Sequence, residues 1–263
     1  MTDETALFEG EVLIDAHGIY TFAHYYQEPQ TKRQLIMVGM NHAADKPNYT
    51  HIKRILRHCD LVIFEGTADE DKSTDETMDI ENLRALLETG SLENAFNVSF
   101  HLFFLTAGKV LDIVEESKEF RKHYSRPNWV SGDVNSRESQ EEIQSEVMRV
   151  LAQIPDSRKK QIIQYVKGAL DRAARGKFSK KDVADGFIFF WTDPYMVELI
   201  LETLTHPRDR HCVEVFDREV ATRNPSRVAI TFGAAHMPYL RKFMEARGFV
   251  LQRSVRITNL SFE

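Results

Sequence analysis

The sequence contains few cysteines and no long hydrophobic run. Cys59 and Cys212 are its only cysteines, and each lies within a helical pattern, which favours reduced thiols over a disulfide framework. The N-terminal segment MTDETALFEGEVLIDAHG lacks the basic segment and following apolar run of a secretory signal. No apolar stretch approaches the roughly 18 residues that span a bilayer. We therefore expect a cytoplasmic protein with no membrane segment.

An excess of positive charge is also missing. The chain has 34 Lys and Arg against 40 Asp and Glu, which gives a formal net charge of −6, and the basic residues are scattered among acidic ones. Binding to a phosphate backbone needs clustered cations, so we expect no nucleic-acid partner. A peptide or a small molecule is the expected substrate, and no pattern indicates the oligomeric state.

Apolar runs typical of buried strands occupy residues 34–38, 60–65 and 227–232. The first two flank a helical pattern, which predicts a β-α-β unit. From about residue 80 to 204 the periodicity is mostly helical, with one strand near 128–132. The acidic segment before it, residues 68–81, has neither period and is predicted to be a surface loop.

The predicted fold class is therefore α/β, with a central mixed sheet and flanking helices. A chain of this length, 42% hydrophobic, can form a single domain over residues 1–263 with a substantial core. We expect the sheet core to comprise about 10–67 and 205–263. A large, mostly helical insertion of about 80–204 is expected to cap the strand ends.

Two histidines share one local context. His42 and His236 each lie three residues after a glycine, Gly39 or Gly233, that ends an apolar strand, and Glu65 ends a third strand. Ligands of open α/β sheets bind at the carboxyl ends of strands, and glycine lets the backbone bend or approach a ligand there. The pattern predicts that His42, Glu65 and His236 meet at one site, shaped by Gly39 and Gly233.

Two imidazoles and a carboxylate suit a divalent ion such as Mn, Co, Zn or Fe, with positions left open for water and substrate. The same residues can also act without a metal as general base and acid. A third interpretation is purely structural: the histidines bond backbone groups at helix N-termini, and Glu65 marks where its strand meets water. The sequence does not separate these alternatives.

Both ends of the chain carry longer signatures. LIMVGMNHAADKPNYTHIKRILRHCDLVIFEGT and VAITFGAAHMPYLRKFMEARGFVLQRS resemble the two G-x-x-H signatures of the TraB/GumN/Tiki family, within the erythromycin esterase/ChaN-like superfamily. The resemblance is loose in the middle of the chain. It implies an α/β core with a helical insertion and, in the Tiki branch, a metal-dependent peptidase that uses Mn or Co.

The resemblance also implies an arginine near the start of the helix before the second signature. Asp209-Arg210 is the matching stretch, so Arg210 is the expected substrate clamp, with a surface ion pair to Glu214 as the alternative. A mid-chain Asp-Arg pair of the family is only half matched, because valine follows Asp133. Asp133 is expected to serve in a turn or helix cap, with a position at the site as the alternative.

The aromatic run at residues 187–191 is expected to pack in the core, with a role in lining a groove as the alternative. The leading functional expectation is hydrolysis of amide, peptide or ester bonds with a divalent metal, Mn or Co before Zn or Fe, held by His42, Glu65 and His236. The alternatives are a metal- or haem-binding protein without catalysis, and a metal-free esterase-like hydrolase with histidine as general base.

Overall fold

The structure is a computed structural model that describes residues 4–66, 79–111, 113–134 and 137–262. The predicted acidic loop lies mostly outside these residues. The strands are β1 (Thr5–Leu7), β2 (Val12–Ile14), β3 (Gly18–Gln27), β4 (Gln34–Met40), β5 (Ala43–Ala44), β6 (Leu61–Phe64), β7 (Val114–Glu115), β8 (Trp129–Ser131), β9 (Arg227–Gly233) and β10 (Val250–Ser261).

The α-helices are α1 (Lys46–Leu56), α2 (Ile80–Glu88), α3 (Leu92–Val110), α4 (Glu116–Tyr124), α5 (Arg137–Gln153), α6 (Asp156–Ala174), α7 (Lys180–Trp191), α8 (Pro194–Glu198), α9 (His206–Arg223) and α10 (Met237–Ala246). A π-helical segment, Leu199–Thr205, joins α8 to α9. Short 3-10 turns occupy Phe8–Gly10 and Ala234–His236. Among the described residues, no helix is both long and apolar enough to cross a membrane.

The main sheet has eight strands and is mixed. Its order is β1-β2-β3-β4-β9-β6-β8, and β10 pairs with β3. Three neighbouring pairs, β4–β9, β9–β6 and β6–β8, are parallel. By contrast, β3 pairs antiparallel with β2, β4 and β10. This confirms the predicted α/β class with a mixed sheet, and it places β9, from the C-terminal part of the chain, between β4 and β6.

The three central strands are apolar at nearly every position because helices cover both faces of the sheet. One face of β4, β6 and β9 packs against Tyr49, Ile52 and Leu56 of α1. The opposite face packs against apolar side chains of α9 and α10, including Phe216 and Leu240. Burial on two sides fixes the register of these strands, and hence the positions of the residues that follow them.

A long helical stretch lies between the strands, as predicted. Helices α2, α3, α6 and α7 form an apolar cluster with β1 and β2 that also includes Ala43 and Ala234. Those two alanines are close in sequence to His42 and His236, so this cluster lies next to the carboxyl ends of the central strands. One element of the predicted insertion, β8, joins the sheet instead, and Cys59 lies just beyond α1 rather than within it.

Candidate active site

The parallel strands β4, β6 and β9 end at the same edge of the sheet. Met40 is opposite Gly233, and Phe64 is opposite Thr231. The residues that follow therefore converge: His236 Nε2 lies 3.4 Å from Glu65 Oε1, and His42 Nε2 lies 3.8 Å from the same oxygen. The structure thus brings together the three side chains that the sequence placed at one site.

The two predicted glycines have different surroundings. The Gly233 amide donates a 2.6 Å hydrogen bond to Glu65 Oε2, and a Cβ at Gly233 would lie 3.2 Å from that oxygen and 3.4 Å from His42 Nε2. A Cβ at Gly39 would instead meet Met237 Cγ at 3.2 Å and Ala234 Cα at 3.4 Å. Gly233 is therefore part of the site, whereas Gly39 lets β4 pack against the turn that carries His236.

Both histidines are anchored through the other ring nitrogen. His42 Nδ1 lies 3.0 Å from Glu116 Oε2, and His236 Nδ1 lies 2.6 Å from Asp209 Oδ1. Both carboxylates are buried. A carboxylate on Nδ1 fixes the ring orientation and keeps the proton there, so Nε2 is left for the centre of the site.

Arg208 is the arginine at the site. Its Nη2 donates to Glu65 Oε1 at 2.7 Å and to Asp133 Oδ2 at 2.6 Å, while its Nε donates to Asp133 Oδ1 at 2.8 Å. Arg210, the residue predicted for this role, is exposed. Two positions along an α-helix are about 200° apart around its axis, so Arg210 lies on the side of α9 opposite to Arg208.

Asp133 reaches the site through Arg208. It follows β8, which lies beside β6, and its carboxylate also accepts hydrogen bonds from the amides of Gly66 and Val134 at 3.1 and 2.8 Å. The bond from Val134 is a local contact with the next residue, not the two-residue contact of an aspartate turn. The hydrogen bonds from Gly66 and Arg208 connect Asp133 to the residues around Glu65.

Burial and opposite charges set the protonation of the cluster. Burial raises the pKa of Glu65, but Arg208, His236 and His42 outweigh it and hold this pKa well below its usual range. Burial lowers the pKa of His236, yet the negative charges of Glu65 and Asp209 raise it to about 9. Burial likewise lowers the pKa of His42, but Glu65 and Glu116 raise it to about 9. Solvent screens the charges around His42, whose side chain is 51% exposed, more than those around the buried His236.

The anchoring carboxyls behave differently from Glu65. Burial raises the pKa of Asp209 more than its contact with His236 lowers it. Burial likewise raises the pKa of Glu116. Arg208 has a raised pKa, because Glu65 and Asp133 outweigh its desolvation, and it stays charged. The site thus keeps Glu65 ionised in a buried position that its cationic neighbours stabilise.

A cavity of about 380 Å³ opens beside these residues. His42, Glu65, Arg208 and His236 line one end. The walls are largely apolar and come mainly from helices α3, α6 and α7 with the N-terminal segment. Phe187, Phe190 and Trp191 of the aromatic run line it while remaining half-buried. Its volume falls within the roughly 300–1,000 Å³ of small-molecule sites.

The donor atoms have the right chemistry for a divalent ion. Two imidazole Nε2 atoms and a carboxylate suit Mn, Co, Zn or Fe, and the Nδ1 partners orient both rings as at known metal sites. The present spacing is not a coordination shell, since no group of His, Cys, Asp or Glu in the described part of the chain is arranged to hold an ion. An ion would also compete with Arg208 for Glu65 Oε1.

Sequence reasoning missed Glu116 and Arg208. Glu116 lies 74 positions from His42 in the chain, and no motif connects them. In the sequence Asp209 stands out as the neighbour of Arg210, and its position early in a helix is the signal for its pairing with His236. These residues complete the shell around the predicted triad.

Comparison with models of known protein families finds no match, and comparison with curated proteins finds none either. The resemblance to the TraB/GumN/Tiki family therefore stays a prediction. It rests on the two G-x-x-H signatures, and the convergence of His42, Glu65 and His236 is what such a site requires.

Proposed function

We propose that this chain is a hydrolase of ester or amide bonds, peptides included, which uses a divalent metal ion held by His42, Glu65 and His236. One observation supports this most strongly: two imidazoles, each anchored at Nδ1 by a buried carboxylate, present Nε2 to one ionised carboxylate. They do so at the end of a ligand-sized cavity. The family resemblance adds Mn or Co as the first ions to test.

His42, Glu65 and His236 would hold the ion, which would supply Lewis acidity to polarise the scissile carbonyl and to make water more acidic. Glu65 serves as a charged ligand, because a carboxylate with so low a pKa is a weak general base. Glu116 and Asp209 orient the rings. Arg208 positions Glu65, because its Nε and Nη2 donate to Glu65 and Asp133.

The metal-free alternative, with histidine as general base, has one observation in its favour. Glu65 already accepts from Arg208, and the donors of the described residues are not spaced around an ion. The pKa of about 9 for His236 opposes it, because a protonated imidazole cannot accept a proton at neutral pH. A metal or haem carrier without catalysis is the remaining alternative, and haem would give a visible absorption band.

The first experiment measures metal content by mass spectrometry on protein purified without a histidine tag. The comparison is the His42→Ala/His236→Ala variant, checked for folding by circular dichroism. We expect near one equivalent of ion in the wild type, little in the variant, and turnover of chromogenic esters or amides that a chelator abolishes. Turnover that survives the chelator supports the metal-free mechanism, and full activity in the folded variant refutes the site.

We also propose a cytoplasmic location. Cys59 and Cys212 are both free and buried, which is the usual state of cysteines in a reducing compartment.

A further inference from the structure

The cavity beside the site has an unusual balance of apolar walls and paired charges. Phe8, Phe103, Phe178 and Trp191 come from four separate segments and all line it. Its charged residues are already neutralised: besides those at the His42 end, Asp182 accepts from Arg172 Nε at 2.6 Å. Within the described residues, the lining thus offers no unpaired charge to a ligand.

Two buried polar atoms of lining residues, Asn41 Nδ2 and the Tyr165 hydroxyl, have no hydrogen-bond partner among the described residues. Asn41 precedes His42 at the site, whereas Tyr165 lies on α6. The Tyr165 hydroxyl is buried and makes no hydrogen bond to any described residue. Burial raises the pKa of this phenol to about 12, so it stays neutral and can donate. A buried polar group without a partner is rare in folded proteins and requires an explanation such as a missing ligand or water.

The position of this hydroxyl is well defined. The Tyr165 ring stacks on Phe189 with 4.0 Å between centroids and meets Phe190 edge-on at 5.9 Å. Gly186 lies beside the hydroxyl and also lines the cavity. A Cβ there would lie 3.6 Å from the oxygen, in ordinary van der Waals contact, so Gly186 has no side chain that could serve as a hydrogen-bond partner.

We propose that the cavity binds the uncharged, apolar part of the substrate, a medium-length acyl or alkyl group that carries a hydrogen-bond acceptor facing Tyr165. The inference rests on the proposed function, because it places the scissile bond at His42, Glu65 and His236 and the apolar group against α6 and α7. Charged peptides are poor ligands for this cavity, since their side chains would lose water without gaining a partner.

The first test measures binding, which is independent of turnover. Amides from butanamide to octanamide are titrated by calorimetry into the full chain. We expect affinity to rise with length, by up to about fourfold per methylene. Ala169→Phe places a ring in the cavity from α6 and should abolish the rise of affinity with chain length. Ala174→Phe, on the exposed side of the same helix, should leave that rise unchanged. The proposal is overturned if affinity does not depend on chain length, or if both variants change the affinities to the same extent.

The second test concerns the acceptor. Octanamides with one ketone at successive chain positions are compared in the wild type and in Tyr165→Phe, which keeps the stacked ring. We expect one ketone position to lose about three- to tenfold in affinity in the variant, the usual value of one hydrogen bond, while plain octanamide changes less than twofold. If no ketone position responds to Tyr165→Phe, the acceptor part of the proposal is overturned.

Turnover separates this inference from the proposed function. With p-nitrophenyl esters from acetate to octanoate, kcat/KM should rise with chain length in the wild type and not in Ala169→Phe. Hydrolysis that depends on His236 but favours acetate leaves the function intact and overturns the inference. Length-dependent binding without any hydrolysis supports the ligand class and refutes the hydrolase.

Discussion

Arg208 uses its donor fork on two carboxylates, Glu65 and Asp133, so its shape matters as much as its charge. A lysine ammonium cannot reproduce this planar bridge. Arg208→Lys should lower the free energy of unfolding by about 2 kcal/mol, the usual value of a lost charge-assisted bond. It should also reduce turnover, because Glu65 loses its orientation. Urea unfolding and ester or amide assays measure the two effects.

Arg210→Lys is the matched control for this change. Arg210 is exposed on the same helix, so its substitution should stay within about 0.5 kcal/mol of the wild type. Equal effects of the two substitutions would contradict the assignment of Arg208 to the site.

The difference between Arg208 and Arg210 shows what a sequence pattern leaves open at residue scale. An arginine near the start of a helix was predicted, but its face depends on where the helix begins. Here the π-helical turn Leu199–Thr205 precedes α9, and such a turn shifts the register by a residue relative to an α-helix. The pairing of His42 with Glu116 is equally unpredictable, since β5 and β7 bring these distant segments together.

At the scale of strands and turns, the two glycines of the paired motifs should respond differently to one added methyl group. Gly233 has an ordinary φ of −50°, so Gly233→Ala strains contacts rather than the backbone. Its Cβ would press on Glu65 and His42, and a small displacement of reacting groups costs catalysis heavily. We expect at least a tenfold loss of kcat with little change in Tm.

Gly39→Ala is the comparison. Its Cβ would meet the backbone of Ala234 and the side chain of Met237, and overpacking of this kind costs about 1–3 kcal/mol. We expect a lower Tm with a smaller effect on kcat. Thermal unfolding and steady-state kinetics measure Tm and kcat for both variants. A larger loss of kcat in Gly39→Ala than in Gly233→Ala would exclude Gly233 from the site.

The elements themselves were largely predictable. The apolar runs of β4, β6 and β9 identify strands buried on two sides, and the structure has strands at these positions. Their order across the sheet was not predictable, because insertion of β9 between β4 and β6 depends on packing between distant segments. The same applies to β8, which lies within the helical insertion in sequence but pairs with β6.

At the scale of the whole molecule, the charge of the site couples stability to pH in the metal-free protein. Folding raises the pKa of His236 from 6.5 to about 9, so the folded chain binds this proton more tightly than the unfolded chain. The resulting stabilisation is fully present below pH 6.5 and is lost as pH rises through 9. It amounts to at most about 3 kcal/mol.

A bound ion reverses this dependence, because it requires the neutral imidazole and so competes with the proton. In excess chelator, the free energy of unfolding should fall between pH 6.5 and 9. His236→Ala should reduce that slope and leave the contribution of His42, whereas His51→Ala, at an exposed position of α1, should leave the slope unchanged. With saturating Mn or Co, the wild type should instead gain stability over the same range, since ion binding strengthens as the proton leaves. Identical slopes with and without the ions would show that neither Mn nor Co occupies the Nε2 positions. The metal-free histidine mechanism, with activity confined to high pH, and a role without catalysis would then remain.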